Sequence, residues 1–271
     1  MLCFRKIALG GGGVKGILHI GALQELAKHQ PLEFPDGVYG SSIGAIIGTY
    51  IAFRLPLDKS VELTKKYLNP DRIFPETCVS NIFETKGIFT MDMFEDAIVK
   101  MFLEAGLDIR DKVIADAKMP LYIITSNISR GKPSILTNQV PLLQALKCSC
   151  CLPFIFKPQE LYGQLYVDGG LFTKSISIHA EDALCLSLKK SVTKVTLKNI
   201  KSIHPLSYIH RLYDMSTNYT HCPDNTVSLM YPNLHTSSDL NDFDIQDILK
   251  HSGQLMSNFL ASKRRNQECP Q

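Results

Sequence analysis

A serine between two glycines is the clearest candidate nucleophile in this chain. It is Ser42, in the segment Gly40-Ser41-Ser42-Ile43-Gly44, which fits the pattern G-x-S-x-G. In serine hydrolases this pattern forms a tight turn from a strand to a helix and exposes the serine hydroxyl. The alternative is a glycine-rich turn in which Ser41 or Ser42 only caps the following helix.

A glycine-rich loop lies earlier in the chain and is suited to negative charge. Its sequence is Gly10-Gly11-Gly12-Gly13-Val14-Lys15-Gly16. Bare backbone N–H groups before a helix bind anions, so the loop fits either a phosphate site or an oxyanion hole. Gly11, Gly13 and Gly16 also fit the dinucleotide motif G-x-G-x-x-G, with Asp36 about 20 residues further on. Asp36, however, precedes the second predicted strand, whereas a ribose-binding acid follows it.

A carboxylate followed by two glycines is the candidate base. Asp168-Gly169-Gly170 comes directly after an apolar segment, Leu165-Tyr166-Val167, that is typical of a strand. Glycines at such a turn let another backbone approach closely. The alternative is an ordinary surface β-turn, in which Asp-Gly is common.

The glycine loop, the G-x-S-x-G turn and the D-G-G turn, in this order, resemble the patatin-like phospholipase family. The resemblance covers about residues 7–170 and is weaker through the last predicted helix. The segment before the aspartate is also similar, at Ser149, Pro153, Phe154, Phe156, Pro158 and Gly163. Family members often carry Asn or Pro soon after D-G-G, whereas 171–176 has neither, so the loop on the substrate side departs from the family pattern.

The resemblance implies an α/β fold, a three-layer α/β/α sandwich with a mostly parallel central sheet. It implies that Ser42 is the nucleophile and Asp168 the base of a catalytic dyad, with no metal or organic cofactor. Gly11, Gly12 and Gly13 would supply the oxyanion hole. Supporting motif positions are Lys15, Gly16, Gly40, Gly44, Gly169 and Gly170. The implied reaction is hydrolysis of carboxylic esters of membrane or storage lipids, of phospholipase A or lysophospholipase type.

Direct proton transfer to an aspartate sets a requirement on the site. An aqueous aspartate has a pKa of about 3.9 and is a weak base, so partial burial should raise the pKa of Asp168. A Ser-Asp-His esterase is the enzymatic alternative, because α/β-hydrolases use the same serine turn. The histidines that follow Asp168 are His179, His204, His210, His221, His235 and His251. The other alternative is a nucleotide-binding or catalytically inactive α/β module.

Segments of strand and helix character alternate along the chain, which favours an α/β architecture. Strands are predicted at 5–9, 37–39, 121–126, 165–167, 183–188, 192–197 and 226–231. Helices are predicted at 17–29, 45–52, 57–67, 91–104, 141–151 and 243–262, with a loop at 69–90. No repeat or low-complexity linker marks a boundary, so a single domain is predicted over residues 1–271, with a frayed tail at 263–271.

Composition places the chain among ordinary globular proteins rather than disordered ones. It has 271 residues, 45% hydrophobic and 20% charged, with a net charge of +3. No stripe of Lys and Arg accompanies this charge, so nucleic acid is not expected as a partner. A signal peptide and a membrane span are not apparent. We therefore expect a cytoplasmic protein that contacts membranes peripherally to reach a lipid substrate; the sequence leaves its oligomeric state open.

Two further groups of residues have competing interpretations. Cys148 and Cys151 form a lone C-x-x-C, for which reduced, structural thiols are a better interpretation than a metal or redox site. A group of large apolar residues fits either a rim for acyl chains or core beneath a loop, and core is preferred. Its members are Phe74, Ile82, Phe83, Ile88, Phe89, Met91, Met93 and Phe94. Lys263-Arg264-Arg265 fits anionic headgroups or, more simply, a solvated helix end.

Overall fold

The computed structural model describes residues 3–68, 73, 82–173, 175–189, 196, 200–203, 208, 212, 224–232, 234 and 244–268. The strands are β1 Lys6–Leu9, β2 Gly37–Ser41, β3 Gly87–Phe89, β4 Leu121–Asn127, β5 Lys132–Leu136, β6 Phe154–Phe156, β7 Gln159–Leu161, β8 Gln164–Asp168, β9 Leu184–Leu188 and β10 Thr226–Leu229. The helices are α1 Ile17–Ala27, α2 Ile43–Ala52, α3 Leu57–Tyr67, α4 Ile82–Thr85, α5 Asp92–Glu104, α6 Leu142–Cys150 and α7 Ile245–Glu268.

A mixed sheet flanked by helices forms the centre of the molecule, so the predicted α/β fold is confirmed. Within the described residues its path is β10-β9-β1-β2-β4-β8-β7, and β5 also pairs with β4. The strands from β10 to β4 pair in parallel, whereas β5, β7 and β8 pair antiparallel with their neighbours. A separate pair joins β3 and β6 in parallel.

The main hydrophobic core lies between one face of this sheet and the helices. Every residue of α2 is buried, which matches its nearly uninterrupted apolar sequence. Ile7 and Leu9 of β1 belong to this core, whereas Ala8 packs into a smaller cluster on the opposite face with Ile124 and Ile176. This alternation follows from the two-residue period of a strand.

The last helix corrects a prediction, because the chain from Lys263 to Glu268 is helical rather than frayed. Cations at a helix C-terminus interact favourably with the helix dipole. Lys263 also lies 5.7 Å from the ring centre of Phe259, and Arg264 Nη2 lies 3.2 Å from His29 Nδ1. The first contact lies within α7, and the second links its last turns to the segment that follows α1.

Other differences from the predicted elements have local reasons. The loop predicted at 69–90 contains α4 and β3, and the strands β5, β6 and β7 were not predicted. Of these strands, β5 and β7 pair antiparallel in the main sheet, whereas β3 and β6 form the separate pair. Pro133 lies within β5, and proline in a run normally argues against a central strand. The strand predicted at 192–197 falls almost wholly outside the described residues. No helix of the described chain is both long and apolar enough to cross a membrane.

Candidate active site

Ser42 lies at the junction of β2 and α2 in a backbone conformation that is rare for a residue with a side chain. Its φ is 55° and its ψ is −128°. Such strain is found where a turn must present a functional group, as in a nucleophile elbow. The Ser42 N–H donates a hydrogen bond of 2.9 Å to Ser149 Oγ. The half-buried residue therefore stands at the helix N-terminus on a constrained backbone.

Strand pairing brings the end of β8 to the end of β2. Ile124 of β4 pairs with Ser41 and, on its other side, with β5. The next residue, Thr125, pairs with Asp168 and also with β5. Because β5 occupies one edge of β4 at both residues, β2 and β8 share the opposite edge and meet head to head. Consecutive strand residues are about 3.3 Å apart, so Ser42 and Asp168 become close neighbours.

Cys150 lies beside both of these residues. Burial raises the pKa of its thiol, and the negative charge of Asp168 raises this pKa further. A hydrogen bond with the Ser42 side chain acts in the opposite direction. Cys150 therefore lies near the side chains of both residues.

The carboxylate of Asp168 is held at the start of a short 3-10 turn, Gly169–Leu171. Its Oδ1 accepts a hydrogen bond of 2.8 Å from the Gly170 N–H. Asp168 is only 2% exposed. A carboxylate that acts as a base is expected to be at least partly buried, and Asp168 meets this requirement. The raised pKa of Asp168 stays a prediction. The following loop is tied to β4, because Ser126 Oγ accepts from the Phe172 N–H at 3.1 Å.

The glycine loop passes next to Ser42. A Cβ added at Gly11 would lie 3.1 Å from the Cβ of Ser42. Within the described part of the chain, the N–H groups of Gly11, Gly12 and Gly13 donate to no other backbone group. Such donors are suited to a developing oxyanion. Lys15, the basic position of the motif, is buried in the 3-10 turn Gly13–Gly16, and its N–H donates to the Gly12 carbonyl at 3.2 Å.

Three further motif glycines permit close packing around this site. A Cβ at Gly40 would lie 2.5 Å from Ala45 Cα, and one at Gly169 would lie 2.4 Å from the Ile124 carbonyl oxygen. At Gly16 it would lie 2.3 Å from Ile43 Cγ1. These contacts join the loop, the serine turn and the D-G-G turn into one packed unit.

Gly44→Ala should destabilise the fold strongly. Its added Cβ would lie 2.1 Å from the Leu9 carbonyl oxygen, and backbone cannot move aside cheaply. We expect a loss of about 3 kcal/mol in the free energy of unfolding, measured by urea denaturation. Gly253→Ala is a matched control within helix α7, because the nearest atom lies 3.5 Å away. It should stabilise by about 0.5–1 kcal/mol, and equal stability of the two variants would contradict the steric argument.

His19 is a buried histidine next to the glycine loop that no sequence pattern singled out. Its Nε2 lies 2.8 Å from the Gly10 carbonyl oxygen, and an acceptor there requires an N–H on Nε2. Burial lowers its pKa to about 4. The neutral ring thus tethers the end of β1, where the glycine loop begins.

The free energy of unfolding should therefore decrease as the pH is lowered, because His19 is protonated more readily in the unfolded chain. The unfolded chain takes up a proton near the ordinary pKa of 6.5, whereas the folded chain does so only near 4. Stability is fully present above pH 6.5 and is lost as the pH falls toward 4; from pH 7 to pH 5 we expect about 2 kcal/mol. His19→Gln retains a donor for Gly10 and removes the titration. Parallel unfolding free energies of wild type and variant across this range would refute the linkage.

The dinucleotide alternative fails on the position of its acid. Asp36 lies before β2, at the opposite end of the strand from the glycine loop. It accepts two hydrogen bonds from Arg5, at 2.8 Å from Nε and 2.9 Å from Nη2. This exposed ion pair lowers the pKa of Asp36 and engages both of its oxygens.

Two histidines of the triad alternative have other contacts. His179 Nε2 lies 3.0 Å from Thr173 Oγ1, and His251 Nε2 lies 3.0 Å from the Met230 carbonyl oxygen. His204, His210, His221 and His235 lie outside the described residues. The Ser-Asp-His alternative is thus tested only by substitution of the histidines.

Both cysteines of the C-x-x-C segment, Cys148 and Cys151, are buried thiols. Burial raises the pKa of both, to about 12 for Cys148, so neither is poised as a thiolate.

The apolar residues of the suggested rim divide between the core and the surface. Among the eight, Phe89, Met91 and Phe94 belong to the core. Phe83 is 81% exposed and Met93 45% exposed, and Phe74 lies outside the described residues.

Comparison with known proteins adds independent support for the fold. A family model described as Patatin-like phospholipase matches residues 7–177. Protein R571 of Acanthamoeba polyphaga mimivirus is 26% identical over 174 residues, 61% of this chain and 58% of that protein. Human patatin-like phospholipase domain-containing protein 6 is 28% identical over 170 residues, 60% of this chain and 11% of that protein. VipD from Legionella pneumophila matches in structure with a TM-score of 0.57 at 13% identity, covering 96% of this chain and 67% of that one. The chain thus spans less than two thirds of these two sequence relatives.

Proposed function

This chain belongs to the patatin-like phospholipase family, and we propose that it is a serine lipid acyl hydrolase. In this proposal Ser42 is the nucleophile, Asp168 is the base, and the N–H groups of Gly11, Gly12 and Gly13 form the oxyanion hole. The reaction is hydrolysis of a carboxylic ester of a membrane or storage lipid, of phospholipase A or lysophospholipase type. A single domain over residues 1–271 carries it.

The observation that best supports this function is the head-to-head meeting of β2 and β8 on one edge of β4. Their register sets Ser41 and Asp168 against consecutive residues, Ile124 and Thr125. A serine hydroxyl needs a base within hydrogen-bond reach to become a nucleophile. A buried carboxylate beside a strained, half-buried serine meets that need without a histidine between them.

The reaction proceeds in two steps through an acyl-enzyme. Ser42 Oγ attacks the ester carbonyl carbon while Asp168 takes the hydroxyl proton. The oxyanion that forms is stabilised by the glycine N–H groups, and such a donor typically contributes about 10²–10³ in rate. Cleavage of the ester bond releases the alcohol, which takes the proton from Asp168. Water then gives a proton to Asp168 and attacks the acyl carbonyl carbon. Cleavage of the bond to Ser42 Oγ releases the fatty acid, and Asp168 returns the proton to that oxygen, which restores Ser42.

Contact with a lipid surface is part of the proposal. Phe83 and Phe154 are exposed by 81% and 62%, and the pairing of Gly87 with Phe154 joins their segments. Transfer of an exposed aromatic side chain from water into an apolar phase is favourable. We infer a cytoplasmic protein that contacts membranes peripherally, and vesicle co-sedimentation tests this. Unchanged binding by a Phe83→Ser, Phe154→Ser double variant would exclude these residues as the contact.

A fluorophosphonate probe tests the proposed chemistry directly. The native protein is expected to react, and mass spectrometry of its peptides should place the adduct on Ser42. A panel of phospholipids, lysophospholipids and acylglycerols, with analysis of released fatty acids, then identifies the substrate. Protection against thermal unfolding by NAD, with no probe adduct, would favour the nucleotide-binding alternative.

A further inference from the structure

We propose that Ser149, at the end of α6, is a positioning residue that holds Ser42 in its reactive conformation. This inference rests on the proposed function and adds a residue to its machinery. Ser149 is fully buried and comes from a helix far along the chain from the nucleophile. It therefore acts on catalysis through Ser42 rather than through contact with the substrate.

The hydroxyl of Ser149 joins the nucleophile to the central sheet. Its oxygen accepts the hydrogen bond from the Ser42 N–H at 2.9 Å. Its own O–H donates to the Ile124 carbonyl oxygen at 2.6 Å. The hydroxyl thus both accepts and donates, and both partners are backbone groups: one in the strand β4 and one in the residue that follows β2. An alanine at this position would provide neither bond.

The same turn of α6 also contacts the strand that carries the base. The Asp168 N–H donates to the Cys151 carbonyl oxygen at 2.7 Å. Thr125 Oγ1 lies 3.2 Å from the Cys148 carbonyl oxygen and 2.8 Å from the Val167 carbonyl oxygen. The segment from Cys148 to Cys151 therefore bonds to both sides of the proposed dyad. Through Ser149 and Cys151 it sets the separation of the hydroxyl from the carboxylate.

Backbone strain explains why this bond matters for rate. Ser42 holds a φ of 55°, which is unfavourable for a residue with a Cβ. A strained conformation persists only when surrounding contacts over-determine it. Without the Ser149 acceptor, the Ser42 N–H is free to turn, and the hydroxyl leaves its alignment with Asp168. Small misplacements of reacting groups reduce the chemical step more than they reduce substrate binding.

Kinetics of Ser149→Ala on a short-chain soluble ester test this role. We expect kcat to fall about tenfold to a hundredfold with KM nearly unchanged, as for loss of a buried hydrogen bond that aligns the reacting group. Ser149→Cys, nearly isosteric with a weak acceptor, should fold and show an intermediate kcat. The rate of fluorophosphonate labelling at saturating probe should fall in the same order.

Ser252→Ala is the matched control. Ser252 is equally buried, lies in α7 and donates to the carbonyl oxygens of Ile248 and Leu249 at 3.1 and 3.0 Å. It should lower the melting temperature and leave kcat at the wild-type value. Wild-type kcat in folded Ser149→Ala, or in Ser149→Cys if the alanine variant does not fold, would overturn the positioning role. Turnover by Ser42→Ala would instead overturn the proposed function.

Discussion

Ser42→Ala is expected to abolish lipid-ester turnover and to leave the fold intact. The substitution removes the attacking oxygen, and loss of the nucleophile in a serine hydrolase costs about 10⁴-fold or more in kcat. The Ser42 N–H, which donates to Ser149 Oγ, is retained. Alanine and serine both carry a Cβ, so the strain at a φ of 55° is the same in both proteins. Fatty-acid release measures the loss, and circular dichroism checks the fold.

Ser41→Ala provides the control for this experiment. Ser41 is the neighbouring serine, 3% exposed, and its Oγ makes no hydrogen bond to the described residues. Its replacement should leave turnover at the wild-type value. Neither serine side chain caps α2. Retained hydrolysis by folded Ser42→Ala protein would mean that the G-x-S-x-G turn has only a structural role.

Asp168→Asn should reduce kcat by a similar order, about 10⁴-fold. The amide has nearly the shape of the carboxylate. In the wild type the Gly170 N–H donates to Asp168 Oδ1 at 2.8 Å, and the amide oxygen of asparagine can accept the same hydrogen bond. What it loses is the ability to take the proton of Ser42. The expected pattern is therefore a folded protein that binds substrate and does not turn it over. Steady-state kinetics with a soluble ester, together with thermal unfolding, separates these effects.

Asp116→Asn matches this change at a site remote from the chemistry. Asp116 Oδ2 accepts from the Val113 N–H at 3.0 Å, so it too caps a short 3-10 turn, Ile114–Asp116. It should keep wild-type kcat. If Asp168→Asn remained as active as Asp116→Asn, another group would be the base. Substitution of each histidine that follows Asp168 would then locate the third member of a triad.

Much of the fold was predictable because its signals are local. The apolar sequence of α2 predicts burial on all sides, and every one of its residues is buried. The periodic pattern of α3 places it at Leu57–Tyr67, as observed. By contrast, β3, β6 and β7 have three residues each and β5 contains Pro133, so neither length nor periodicity marked these strands. The end of α7 is supported by a long-range contact between Arg264 and His29, which no local pattern marks.

For the candidate site too, the sequence indicated the motifs, and the tertiary structure decided how they are arranged. Residue types and spacing alone determined the three glycine motifs, because a tight turn requires glycine wherever a Cβ would strike backbone, as at Gly44. Only the tertiary structure decided that β8 runs antiparallel on the edge of β4 that β2 also uses. That arrangement brings Ser42 and Asp168 together and turns Ser149 and His19 toward the nucleophile and the glycine loop. Such contacts join residues far apart in the chain, and long-range strand pairing leaves no periodic pattern in a single sequence.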